Sequence, residues 1–474
     1  MVEHLTRLTT GVSGLDAILG GGFVEGASYI IQGSPGAGKT ILSNQIAFSQ
    51  AASGHPVLYV TLLAETHDRL FQSLSTLSYF DNTALGDKIK YVSVFQCLRD
   101  EGLDSVVKLI REETQRQSAR LLVFDGLLNA RDRAETELDV KTFVATIQSQ
   151  AAFVGCTVLF LTSTRLQESN PEHTMVDGVL DLSDELIGER TFRRLQVRKS
   201  RGSAALSGFH QFLIDDNGVT VFPRLEAFLP VPSINAPPSS ARIQTGVNGL
   251  DQLIGGGLPE GSVTILMGPP GSGKTSLSLS FFSLASASQP ALYFGFFETP
   301  ERLIMKASSF GLAIDPLISS GAAEIIWNPL TENIMDKLAH QLLAAVKRSG
   351  VKRLIIDGLN GFERAAVTPG RLVEFFASLT NELRALNVTT IMTWEMREIY
   401  GKAGTSPLPD ISALLDNLLV VRSEKAASTT RRLFSVLKLR NSTFKPSDFE
   451  LEFSASGLSI SCADESGVTE PEKG

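Results

Sequence analysis

Two octapeptides carry the residue types that can hold a phosphate chain. Gly33-Ser34-Pro35-Gly36-Ala37-Gly38-Lys39-Thr40 and Gly268-Pro269-Pro270-Gly271-Ser272-Gly273-Lys274-Thr275 both read G-x-x-x-x-G-K-T. Glycines let successive backbone N–H groups curl around an anion, and a helix starting at the lysine adds favourable partial charge. Lys39 and Lys274 would reach the β- and γ-phosphates, and the hydroxyls of Thr40 and Thr275 would hold Mg²⁺. The candidate nucleotide-binding residues are therefore Gly33, Ser34, Gly36, Ala37, Gly38, Lys39 and Thr40, and again Gly268, Gly271, Ser272, Gly273, Lys274 and Thr275.

Three further residue sets follow each octapeptide. The apolar runs Leu121 to Asp125 and Leu354 to Asp357 end in a carboxylate, 125 − 39 = 86 and 357 − 274 = 83 residues after the lysine. A buried strand would place Asp125 and Asp357 beside the phosphate loop to complete a magnesium shell; a bare helix-capping Asp is the simpler alternative. Between loop and Asp stand Ala64-Glu65-Thr66 and Phe297-Glu298-Thr299. Glu65 and Glu298 at strand ends could orient and deprotonate an attacking water, or merely begin the next helix facing solvent. Late in each half come Lys199 with Arg201 and Lys438 with Arg440. On a strand, i and i+2 share a face, so each pair could clamp one phosphate, in its own site or a neighbour's; an exposed cationic strand with Arg193, Arg194, Arg431 and Arg432 fits the spacing equally.

These elements recur because the chain is a tandem repeat. Thr10 to Asp16 (TGVSGLD) matches Thr245 to Asp251 (TGVNGLD), and the lysines keep the same offset, 251 − 16 = 274 − 39 = 235. The 474 residues thus divide into a first domain (1–228), a Pro/Ser-rich linker (229–241) that reads as an extended tether, a second domain (242–461) and a polar acidic tail (462–474). Each copy alternates short β-rich runs with helical patterns, which predicts an α/β fold with a mostly parallel twisted sheet flanked by helices. In copy one the strands are expected at Ser28 to Gln32, Val57 to Leu63, Leu121 to Asp125 and Thr157 to Thr162, with a helix from Lys39 to Ala52. In copy two they are expected at Val263 to Met267, Ala291 to Phe297, Leu354 to Asp357 and Thr389 to Thr393. β-type segments around Phe192 to Val197 and Leu433 to Leu437 close the copies.

Composition sets the outer limits. With 43% hydrophobic and 20% charged residues the chain can fill two cores. It has no apolar run long enough to span a bilayer and no secretory leader, which points to the cytoplasm and away from membranes. Cys97, Cys156 and Cys462 are too scattered for a metal site and read as small buried side chains. The net charge of −8 is acidic in both halves, −6 for residues 1–235 and −2 for the rest, which argues against a nucleic-acid footprint.

The paired TGVxGLD segments, twin phosphate loops, Glu-Thr dipeptides and closing Lys-x-Arg-x-Ser elements (Lys199 to Ser203, Lys438 to Ser442) resemble KaiC-type double-domain ATPases of the RecA superfamily, over about residues 5 to 460. The resemblance implies two tandem RecA-like P-loop domains stacked as the two rings of a homohexamer. It also implies ATP and Mg²⁺ between subunits, and a Lys-x-Arg element that reaches the neighbour's nucleotide. The chain departs from the family pattern at several places. One glutamate, not two, stands at Glu65 and at Glu298, and copy one carries an additional residue in Val60 to Ala64. Asn441 replaces a glycine. Of the Ser-Thr pair on which clock-type members phosphorylate themselves, Ser412 is kept and Ala413 replaces the threonine, so dual phosphorylation is excluded there. The tail beyond Phe453 is short for a clock-partner tail. The expectation is an Mg²⁺-dependent ATPase, hexameric and double-ringed, that regulates an unidentified protein partner through its nucleotide state. The alternatives are a serine autokinase using Ser412, a nucleotide-gated scaffold with little turnover, and a DNA recombinase.

Overall fold

A computed structural model describes residues 5–62, 67–127, 130–131, 134, 136–163, 171–234, 239–396, 410–426, 429–440, 448–455 and 457–462. The chain forms two compact units, Met1–Phe228 and Leu229–Gly474. In the first, nine strands form one sheet: β1 (Ser28–Gly33), β2 (Val57–Thr61), β3 (Ile89–Ser93), β4 (Leu121–Asp125), β5 (Thr157–Thr162), β6 (Gly178–Ile187), β7 (Arg190–Ser200), β8 (Phe209–Asp215) and β9 (Gly218–Phe222). In the second unit the corresponding strands are β10 (Val263–Gly268), β11 (Ala291–Gly295), β12 (Ala323–Trp327), β13 (Arg353–Asp357), β14 (Thr389–Glu395), β15 (Asn417–Ala426), β16 (Thr429–Leu439), β17 (Asp448–Ser454) and β18 (Gly457–Cys462).

The sheet orders are β3-β2-β4-β5-β1-β6-β7-β8-β9 and β12-β11-β13-β14-β10-β15-β16-β17-β18, so the two copies share one topology. Six strands from β3 to β6, and from β12 to β15, run parallel; the last three reverse at each step. Parallel strands covered on both faces need continuous apolar runs, and Val57–Thr61, Ala291–Gly295 and Arg353–Asp357 are buried at every position. The helices that flank the sheets include α1 (Lys39–Ala52), α2 (His67–Leu74), α3 (Leu103–Gln117), α4 (Glu137–Phe153) and α5 (Pro171–Met175) in the first unit, and α6 (Lys274–Phe282), α7 (Pro300–Ser309), α8 (Met335–Ser349) and α9 (Leu372–Ala385) in the second.

The tandem α/β fold read from the sequence holds, with two local corrections. The strands expected to run to Leu63 and Phe297 stop at Thr61 and Gly295. Their ladder partners β4 and β13 end there, at Thr61↔Asp125 and Gly295↔Asp357, so the ladders go no further; the Leu62 N–H makes a last hydrogen bond to the Asp125 carbonyl at 2.9 Å. The tether is also not wholly free: the Ser233 N–H and hydroxyl donate to Glu382 on α9 at 2.7 and 2.5 Å, and Lys347 on α8 pairs with the same carboxylate at 2.8 Å. Cys156 is buried, whereas Cys97 is only partly covered.

Candidate functional site

Each phosphate loop leaves the carboxyl end of the central strand, β1 or β10, and turns into α1 or α6. Gly38 and Gly273 cap those helices at φ 98° and 106°, a backbone region closed to most side chains. Each also lies under a side chain from the antiparallel arm: Ile214 of β8 covers Gly38 and Phe453 of β17 covers Gly273. Lys39 Nζ donates to the Gly33 and Ser34 carbonyls at 2.9 and 2.8 Å, and Lys274 Nζ to those of Gly268 and Pro269 at 2.8 and 2.7 Å. Burial pulls both ammonium groups below the usual lysine range, against Asp125 and Asp184 in copy one and Glu395 and Asp357 in copy two. A partly desolvated lysine beside backbone N–H groups is set to gain from an anionic ligand.

The loop hydroxyl and the strand carboxylate meet in both copies. Thr40 Oγ1 donates to Asp125 Oδ2 at 3.4 Å, and Thr275 Oγ1 to Asp357 Oδ2 at 3.2 Å. These hard oxygen donors suit Mg²⁺, which takes one or two protein oxygens together with phosphate oxygens. Behind them the copies differ. Burial pushes the Asp125 carboxyl up, with Lys39 and Thr40 opposing. Asp357 also accepts from Tyr293 and, at 2.6 Å, from Thr393. At the position beside Asp125 that Thr393 occupies near Asp357, copy one has Leu161. Tyr59, the counterpart of Tyr293, instead contacts Ser43 Oγ at 2.9 Å and Asn44 Nδ2 at 3.1 Å, which brace the first turn of α1.

Glu298 lies past the end of β11, in a cleft of about 430 Å³ that it shares with Gly271, Gly273, Lys274, Thr275 and Lys306. The sequence placed it on a strand; it stands in the connection to α7, three residues beyond the last ladder position. Glu65, four residues beyond Thr61, lies outside the described residues, as do Asn441 and Ser442. Ser412 falls on a short 3₁₀ turn, Asp410–Leu414.

The Lys-x-Arg pairs sit elsewhere. Lys199 is opposite Val179, which pairs with Ile30, and Lys438 is opposite Leu418, which pairs with Ile265. That register puts them three residues, about 10 Å along the strand, back from the loop. The following arginines lie further toward the amino edge of the sheet. Lys199 Nζ donates to the His173 and Thr174 carbonyls at 2.8 and 3.2 Å, and Arg201 reaches the same Thr174 carbonyl at 3.2 Å. Lys438 donates to the Leu415 carbonyl at 2.6 Å and Arg440 to Asp416 Oδ1 at 3.2 Å. Burial and the adjacent arginine lower both lysines. The two cations of each pair do not share a pleat face as the i, i+2 spacing predicts: Arg201 and Arg440 lie past the strands, and a register shift precedes each lysine, so the pairs converge through the turn.

Two cations that the spacing argument left as surface charge do face their own loops. Arg193 Nη1 donates to the Gly36 carbonyl at 3.0 Å, and Arg432 lines the cleft around Lys274 while stacking 4.8 Å from the Phe453 ring centroid. The signal was available in the direction of travel. β7 and β16 run antiparallel to the core strands, so a residue six before the lysine lies about 20 Å nearer the loop edge.

The profile of the family described as "ATPase: KaiC" matches residues 8–226 and again 243–465. The chain is similar to the circadian clock oscillator protein KaiC of a Picosynechococcus species, with 24% identity covering 97% of this chain and 90% of that protein. It is also 24% identical to the proteins of that name from Synechococcus elongatus and Thermostichus vulcanus, each match covering 93% of this chain and 86% of the relative.

Proposed function

Because the chain belongs to the KaiC ATPase family, we propose that it is an Mg²⁺-dependent ATPase that assembles as a homohexamer of two stacked rings, hydrolyses ATP between subunits and regulates a protein partner through its nucleotide state. One observation carries this reading. Within each unit, the loop lysine, its threonine and the Asp stand at the carboxyl edge of the sheet, while Lys199 with Arg201, and Lys438 with Arg440, stand toward the opposite edge. Cations so placed face away from the loop of their own unit, which supports a role at a phosphate held elsewhere in the assembly.

In this mechanism the loop N–H groups with Lys39 or Lys274 bind the β- and γ-phosphates, and Arg193 or Arg432 approaches from the same chain. Thr40 with Asp125, and Thr275 with Asp357, would hold Mg²⁺, which would supply positive charge to offset that of the phosphate chain. Glu65 and Glu298 orient water and accept its proton. Lys199 and Arg201, or Lys438 and Arg440, of the adjacent subunit stabilise charge on the transferred group. Among the described residues no helix is long and apolar enough to cross a membrane.

Native mass measurement with ATP, followed by phosphate release on the same sample, tests the proposal. Lys39→Ala with Lys274→Ala should abolish nucleotide binding and assembly; a hexamer that persists without nucleotide in that variant counts against it. Mixing Arg201→Ala/Arg440→Ala chains with Glu65→Gln/Glu298→Gln chains should restore release, since mixed interfaces bring an intact base to an intact clamp. A mixture no more active than its separate components would exclude action between subunits.

A further inference from the structure

The candidate base of the second copy is already engaged. The Glu298 carboxylate accepts a charge-assisted hydrogen bond from Lys306 Nζ, about two turns along α7. Both side chains line the cleft that contains Lys274 and Thr275, where water would meet the terminal phosphate. α7 is anchored by Leu303 and Ala307, both buried, which flank Lys306 on the helix. In copy one, Leu70 packs on the core and Leu74 is buried in the matching helix α2, and that alignment puts Ser73 where copy two has Lys306. The repeats keep the glutamate, at Glu65 and Glu298, but only the second places a lysine beside this helix position.

Resting on the reading of Glu298 as the base, we propose that Lys306 is a positioning residue that restrains it, making the second ATP site the slower of the two. An ammonium bound to the carboxylate occupies a lone pair that the attacking water needs and ties the carboxylate to α7. The first copy, with Ser73, has no such restraint from this position.

Phosphate release by the full-length hexamer tests this, with Glu298→Gln reporting the first copy alone. K306S, which copies the first repeat, should raise the second site's rate at pH 8 roughly three- to tenfold, a modest gain because the pair is partly solvent-exposed. The gain should vanish in K306S/E298Q, and K306R should keep the low rate. Glu298 is faced by Lys306 from α7, by Lys274 from the loop, by Arg432 from β16 and by Tyr293 from β11, whose hydroxyl donates to Asp357 of β13. Of these only Lys306 changes, so the gain should appear in kcat with KM for ATP unaltered, which a general loss of structure would not produce. If E298Q silences the second site but K306S leaves its rate unaltered, the lysine inference alone falls. A lower rate with a raised KM for ATP would make Lys306 a phosphate ligand and overturn it. If E298Q leaves release unchanged, the base assignment fails and takes the proposal with it.

Discussion

Replacing Gly273 by alanine separates two costs that usually arrive together. At φ 106° any L side chain is strained, by about 1–2 kcal/mol. A Cβ there would also stand 2.3 Å from Phe453 Cζ, with two more ring carbons at 3.1 and 3.3 Å, so the ring must move by more than an ångström to reach ordinary contact. Overpacking of that kind costs about 1–3 kcal/mol more. Gly271 is the internal control: its φ is +72°, and a Cβ there meets nothing within 4 Å. Gly271→Ala should therefore cost about 1–2 kcal/mol and Gly273→Ala about 2–5 kcal/mol. In copy one, Gly38→Ala should fall between, because the atom it meets is the yielding Cδ1 end of Ile214, at 2.5 Å. Both tryptophans, Trp327 and Trp394, lie in the second unit, so urea melts of the nucleotide-free full chain followed by tryptophan fluorescence report that unit alone. In a Phe453→Leu background the extra cost of Gly273→Ala should shrink to that of Gly271→Ala. Equal penalties for the two glycines, or a Gly273→Ala penalty unmoved by Phe453→Leu, would refute the reasoning.

Two further predictions use buried carboxylates of opposite character. Burial alone would push the Glu382 carboxyl up, but the hydrogen bonds from Lys347 and Ser233 more than offset this and hold it below its ordinary value. Its stabilising contribution is thus present above about pH 4.3, the unfolded value, and is lost as pH falls through the lowered folded value. Glu382→Gln should cost the second unit about 1–2 kcal/mol at pH 7 in urea melts, the gap to wild type closing on acidification; a gap independent of pH would contradict the assignment. Asp125 is the reverse case, since burial raises it and ionisation opposes folding increasingly as pH climbs above about 4. Asp125→Asn should leave the nucleotide-free first unit as stable or up to about 1 kcal/mol more stable at pH 8, a gain of roughly 2–4 °C, while removing its share of Mg²⁺-dependent phosphate release; a melt lowered at pH 8 would refute this.

Much of this architecture was legible in the residues because repeat, glycine pattern and apolar strand runs are strong local signals. Lys39–Ala52, Leu121–Asp125 and Thr157–Thr162 fall where periodicity puts them. What the sequence could not supply was the end of a ladder. Thr61 and Gly295 terminate their strands because β4 and β13 stop opposite them, a property of the partner and not of the segment itself. The same limit explains the cations. Spacing showed that Lys199 and Arg201 could act together, but which edge of the sheet they occupy depends on the antiparallel return of β7, and that return also carries Arg193 to the loop. Lys306 escaped notice because its meaning depends on a helix bringing position i+8 back over a loop carboxylate.

The hydroxyl wiring of Asp125 and Asp357 has an evolutionary consequence. Asp357 is bound by Thr275, Tyr293 and Thr393, whereas Tyr59 turns to Ser43 and Asn44 and Leu161 stands beside Asp125. A substitution at Thr393 or Tyr293 removes a hydrogen bond to Asp357 that Asp125 does not have from the matching positions Leu161 and Tyr59, so the duplicated domains can drift apart at this carboxylate without losing their common frame. Duplication here supplies two settings of one strand-end carboxylate, each open to change without the other.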